Sequence, residues 1–156
     1  MKKMLIVLIL AAVTGGAGYL IYKALIPKST TMYEQYQAYV ATIDQTRYNT
    51  NAGYRWEVDD VIRTKQAALA AAYNADKKPD EAIAILEGLI ASMNKQQYVL
   101  NKKVSRNSGQ VELVAIYYAR LADSYGLKHD EEKKAWALQQ SNEYKAEAAR
   151  LAQRGK

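Results

Sequence analysis

Few residues in this chain could do covalent or acid–base chemistry. His129 is the single histidine and cysteine is absent, which removes disulfides, thiolate metal sites, thiol nucleophiles and a lipoprotein anchor together. One histidine cannot build a multi-histidine metal site or a histidine pair within one chain, and a serine triad would have to be built on it. Its setting, Lys128-His129-Asp130-Glu131-Glu132, reads instead as a polar turn before a helix. No glycine-rich phosphate loop follows a strand, because Gly15, Gly16 and Gly18 fall inside an apolar run. Neither an enzyme, a metal centre nor a cofactor is therefore expected.

Binding chemistry is better represented. Thirteen tyrosines, two tryptophans and no phenylalanine give every aromatic residue a polar atom, a composition suited to half-wet interfaces and to the membrane boundary. Tyr33, Tyr36 and Tyr39 stand at helical spacing and read first as a core stripe. Lys95, Lys102, Lys103 and Arg106 form an acid-free basic patch, read as a solvated helix end. The formal charge of +6 includes three lysines of residues 1–27, which hold no acids. The remaining +3 is spread over the rest of the chain and does not point to nucleic acid.

The elements that position these groups begin with an uncharged run from Met4 to Tyr22, flanked by Lys2 and Lys3 and closed by Lys23, Pro27 and Lys28. A bilayer core of about 30 Å takes roughly 20 mostly apolar helical residues, so residues 1–27 read as an uncleaved transmembrane signal-anchor. A cleaved signal peptide is the alternative, since Gly16-Ala17-Gly18 offers a small-x-small site, but the apolar run continues past it. Ala11 with Gly15 and Ala12 with Gly16 are small-xxx-small pairs that would let another membrane helix approach. The basic amino end favours a cytoplasmic N-terminus, placing residues 28–156 on the outer, periplasmic side of a bacterial inner membrane. Tyr19 and Tyr22 would be boundary anchors.

Residues 28–156 read as all-α. The pattern predicts a helix capped at Thr31-Met32-Tyr33-Glu34 and running to about Arg47, a break over 48–53, and a helix through Val58, Ile62, Leu69 and Tyr73. A turn at Asp76–Pro79 leads to a strongly apolar helix with Ala82, Leu86, Leu89 and Met93 on one face. After an interruption at Asn107-Ser108-Gly109 come a helix with Val114, Tyr117, Tyr118, Leu121 and Tyr125, and a final helix from Asp130 to about Gln153 with a thin stripe of Ala137, Tyr144, Ala148 and Leu151.

Leu69-Ala70-x-x-Tyr73, then Ala82 and Leu86, with Asp80-Glu81-Ala82-Ile83 opening the second helix, resembles a tetratricopeptide repeat. Small residues at Ala70 and Ala82 would let the paired helices sit close. A weaker copy reads Leu121-Ala122-x-x-Tyr125, then Ala135 and Leu138, with one extra residue in the turn. The two tyrosines are 52 residues apart, against a repeat period of about 34, so a lengthened segment must intervene. The resemblance implies that the first helix of each pair lines a partner-binding face, exposing Thr64, Ala67, Ala71 and Asn74 in the first copy and Ala119, Arg120 and Asp123 in the second. The expected role is a membrane-anchored protein–protein interaction scaffold; an accessory subunit of a membrane complex or surface filament is the other reading.

Overall fold

The computed structural model describes residues 27–100 and 108–154, with side chains over 27–93 and 108–153. Six helices and no strand occur among them: α1 Lys28–Ala41, α2 Gln45–Thr50, α3 Ala52–Ala75, α4 Pro79–Leu100, α5 Ser108–Leu127 and α6 Glu131–Arg154. The all-α class follows from the sequence pattern, and several boundaries differ from it. Thr31 is not a cap: α1 starts at Lys28, directly after Pro27, whose side chain has nothing to donate to or accept from the helix end. The predicted break over 48–53 shrinks to Asn51, because Asp44 caps α2 through the Arg47 amide at 2.9 Å and Asn51 caps α3 through the Tyr54 amide at 2.9 Å. Each cap satisfies one of the first-turn N–H groups that a helix cannot bond internally.

Antiparallel pairing dominates. Helix α3 packs on α4, α4 on α5 and α5 on α6, with α3 also touching α5. The main core joins Ala67 and Ala70 of α3, Ala82, Leu86, Leu89, Ile90 and Met93 of α4, Val114, Tyr117, Tyr118, Leu121, Ala122 and Tyr125 of α5, and Ala137 of α6. Ala70 and Ala82 are both wholly buried, as a close α3–α4 approach requires. The Tyr125 hydroxyl donates to Glu87 Oε1 at 3.0 Å, tying α5 to α4.

The α3–α4 and α5–α6 turns repeat each other at an offset of 52 residues. In the first, the Lys77 amide donates to the Asn74 carbonyl at 3.1 Å and the Lys78 amide to the Tyr73 carbonyl at 2.9 Å. In the second, the His129 amide donates to the Gly126 carbonyl at 3.1 Å and the Asp130 amide to the Tyr125 carbonyl at 3.0 Å. Lys77 and His129 both have φ of 58°, the left-handed conformation in which helices commonly end. The turns are therefore of equal length, which corrects the extra residue expected in the second. Lys134, not Ala135, stands 52 residues after Ala82, and its aliphatic stem lies against Gly126. Helix α6 consequently turns Ala137, Ser141 and Ala148 inward and leaves Ala135 and Leu138 exposed.

Small residues and rings hold α6 on α5. Ser141 is buried and its hydroxyl donates to the Ala115 carbonyl at 2.8 Å. Tyr118 stacks on Tyr144 with centroids 5.5 Å apart and meets the edge of Trp136 at 5.7 Å. The outer side of α6 remains largely exposed, as its thin apolar stripe predicts.

Candidate functional site: the seam between the hairpins and its flanking face

Two hydrogen bonds fix how the hairpins meet. Arg120 Nη1 donates to the Ala67 carbonyl at 3.1 Å, and Asn74 Nδ2 donates to Ser124 Oγ at 2.9 Å. Advancing from Ala67 to Asn74 along α3 accompanies advancing from Arg120 to Ser124 along α5, so these helices run parallel. Ser124 completes the chain by donating to the Arg120 carbonyl at 3.1 Å. Lys128 and Asp80 form an ion pair between the two turns at one end of the seam.

The seam contains more polar capacity than it satisfies. Arg63, whose side chain is 11 % exposed, binds Asp60 at 3.2 Å through one terminal nitrogen, while its buried Nε has no partner among the described residues. Asn74 Oδ1 is likewise buried and without a partner among them. Burial pushes the Tyr117 hydroxyl above its ordinary range, and the Arg63 and Arg120 guanidinium groups counter part of that rise. Buried polar groups of this kind are costly if left unpaired, so they penalise any slippage of one hairpin on the other that breaks the bonds already made.

The residues expected to form a partner surface separate into two groups. Ala67 is buried and Asn74, Ala119 and Arg120 are half-buried; Ala67, Asn74 and Arg120 join the hairpins to each other. This corrects the expected exposure of Ala67, whose carbonyl lies under the Arg120 guanidinium. Thr64, Ala71 and Asp123 are exposed, with the Thr64 hydroxyl turned back onto the Asp60 carbonyl at 3.0 Å. Beside them the structure exposes Val61 and Ala68 on α3 and Leu113 and Ile116 on α5. Leu113 and Ile116 precede Arg120 by seven and four residues, so helical spacing was the available signal for placing them on its face.

His129 occupies the exposed left-handed position of the second turn. Among the described residues no group of three or more His, Cys, Asp or Glu is placed to hold a metal ion. Also among them, no helix is long and apolar enough to cross a membrane. The anchor, with Ala11, Ala12, Gly15 and Gly16, lies outside the described residues, as do Lys102, Lys103 and Arg106 and the side chain of Lys95. Set against protein-family models, curated proteins and solved structures, the chain matches none.

Proposed function

We propose that this chain is a membrane-anchored docking protein: residues 1–27 hold it in a bacterial inner membrane, and residues 28–156 form an extracytoplasmic helical domain that binds other proteins. The observation carrying this reading is the side-by-side stacking of two hairpins with matching turns. It leaves Val61, Thr64, Ala68 and Ala71 of α3 and Leu113, Ile116 and Asp123 of α5 exposed beside the seam. Stacked helical hairpins that each bury one side against a neighbour leave a continuous surface suited to a protein segment. The tetratricopeptide-like residues Leu69, Ala70, Tyr73, Ala82 and Leu86 support the same reading. On it the domain works by association, without catalysis, cofactor or nucleic acid.

The small-xxx-small pairs Ala11/Gly15 and Ala12/Gly16 favour a second arrangement, in which the chain is an accessory subunit of a membrane complex or surface filament and the span makes the decisive contacts. Photocrosslinking residues placed singly at Thr64, Ala71, Ile116 and Ala12, in native membranes, distinguish them. Adducts from the first three positions are expected of the docking protein. Adducts from Ala12 alone, in fixed stoichiometry, reassign the chain as a subunit; adducts from neither class refute both.

A further inference from the structure

The start of α1 fixes which end of the domain lies nearest residues 1–27. Helix α1 begins at Lys28, directly after Pro27, and the α3–α4 turn holds its first amides. Lys28 N–H donates to Asp76 Oδ1 at 3.1 Å and Ser29 N–H to Asp76 Oδ2 at 2.7 Å. The ion pair between Lys128 and Asp80 brings the α5–α6 turn to the same end. Both hairpin turns therefore sit beside the point where the chain enters the domain. Lys28 stands six positions after Tyr22, the last residue of the uncharged run, and six residues span at most about 20 Å even when fully extended.

The surface that the turns present is basic. Lys28, Lys77, Lys78, Lys128 and His129 are all exposed there. Most nearby carboxylates are engaged: Asp76 by the α1 amides, Asp80 by Lys128, Asp130 by the Lys133 amide at 3.1 Å and its ammonium at 3.6 Å, and Glu131 by Lys134 at 3.0 Å. Glu81 and Glu132 are exposed in the first turns of α4 and α6, behind the points where the chain reverses. Lys28, Lys77 and Lys78 make no ion pair among the described residues. Lys77 and His129 also hold the two left-handed positions, where glycine fits without strain. Both are exposed, so packing does not call for a long basic side chain at either.

We propose that the two hairpin turns form a membrane-contact surface, which seats the domain on anionic lipid headgroups beside its own anchor. Each lysine close to an anionic bilayer raises occupancy about fivefold. The attraction fades over a Debye length of about 8 Å, so the charges nearest the headgroups weigh most. The inference rests on residues 1–27 being a membrane anchor. Val61, Thr64, Leu113 and Ile116 lie 12 to 15 positions along α3 and α5 from Asp76 and Lys128. With the helices upright, that raises the docking face roughly 20 Å above the headgroups.

The chain has no cysteine, so one introduced thiol can carry a fluorophore. The test uses the full chain reconstituted in phosphatidylcholine vesicles with about one-third phosphatidylglycerol and a headgroup-nitroxide lipid as quencher. Single probes stand at His129→Cys and, at the far end of α3, at Gly53→Cys. Quenching at position 129 should exceed that at position 53 at least threefold. It should fall by at least half in Lys77→Gln with Lys78→Gln, and equally in pure phosphatidylcholine, whereas Lys77→Arg with Lys78→Arg should preserve it. Equal quenching at the two positions overturns the seating. Quenching at position 129 that survives unchanged in the glutamine variant or in phosphatidylcholine overturns headgroup recognition, leaving tethering alone. Flotation of the same vesicles reports on the anchor: a chain that does not float refutes anchor and seating together, and one that floats with its position 129 probe unquenched refutes the seating alone.

Discussion

Replacing the two left-handed turn residues by glycine should stabilise the protein, by similar amounts at both sites. Lys77 and His129 each hold φ of 58° and are exposed. Their backbone amides make equivalent bonds, to Asn74 and Gly126, 52 residues apart. An L-residue there suffers contact between Cβ and its carbonyl worth roughly 1–2 kcal/mol. Glycine removes that contact but gives the unfolded chain extra freedom, costing back about 0.5–1 kcal/mol. Lys77→Gly and His129→Gly should each gain about 0.5–1 kcal/mol, and the double variant about twice that, because the two side chains have no shared partner. At a urea m-value of about 1.5 kcal/mol per molar, each single change moves the midpoint up by about 0.3–0.7 M. The assay is urea unfolding of the detergent-solubilised full chain followed by helical circular dichroism, with the m-value unchanged. His129→Val is the converse, since a β-branched residue tolerates this conformation worst, and it should lower the midpoint. A loss of stability with glycine at either position would refute the matched-turn geometry.

Ala70→Leu or Ala82→Leu forces three extra carbons into sites with no exposure and should cost about 1–3 kcal/mol by overpacking; the exposed Ala68→Leu should stay within about 0.5 kcal/mol, by the same unfolding assay. Ser124→Ala deprives Asn74 Nδ2 of its acceptor and should cost about 1–3 kcal/mol, with a double-mutant cycle against Asn74→Ala showing non-additivity. The Ser29 hydroxyl and amide, with the Lys28 amide, hold the Asp76 carboxyl below its usual range. Its contribution is present above the ordinary carboxylate pKa and is lost as pH falls through the lowered value, so Asp76→Asn should flatten the acid limb of α1 hydrogen-exchange protection. The Tyr125 hydroxyl is pushed up to about 12 from 10.0 by burial and by its bond to Glu87. That stabilisation is complete below pH 10 and lost as pH rises through 12, and spectrophotometric titration should show Tyr125→Phe removing one late-ionising tyrosine.

What the sequence made legible is what helical periodicity encodes: which face of each helix is apolar and where the chain reverses. Ala70 against Ala82, the His129 turn and the 52-residue offset between Tyr73 and Tyr125 were all readable because their signals lie within a few turns of one helix or one hairpin. The polar contacts that fix the assembly carry no such signal. Asp76 caps α1 across 47 and 48 residues, Asn74 meets Ser124 across 50 and Arg120 meets Ala67 across 53. Each of these side chains looks locally like an ordinary turn or surface residue. The second hairpin shows the same limit: nothing near Ala135 or Leu138 states that Lys134 can lay its stem on Gly126 and turn both outward. Helix α3 unites these cases, since α1, α2, α4 and α5 all pack against it and over residues 61–74 only the stripe of Val61, Thr64, Ala68 and Ala71 is left exposed between them. A single amphipathic stripe cannot specify four neighbours, so the polar bonds decide which neighbour sits where. The positions with the least local signal, Asn74, Asp76 and Arg120, are therefore the ones whose substitution should alter the arrangement of the helices while leaving helical content unchanged.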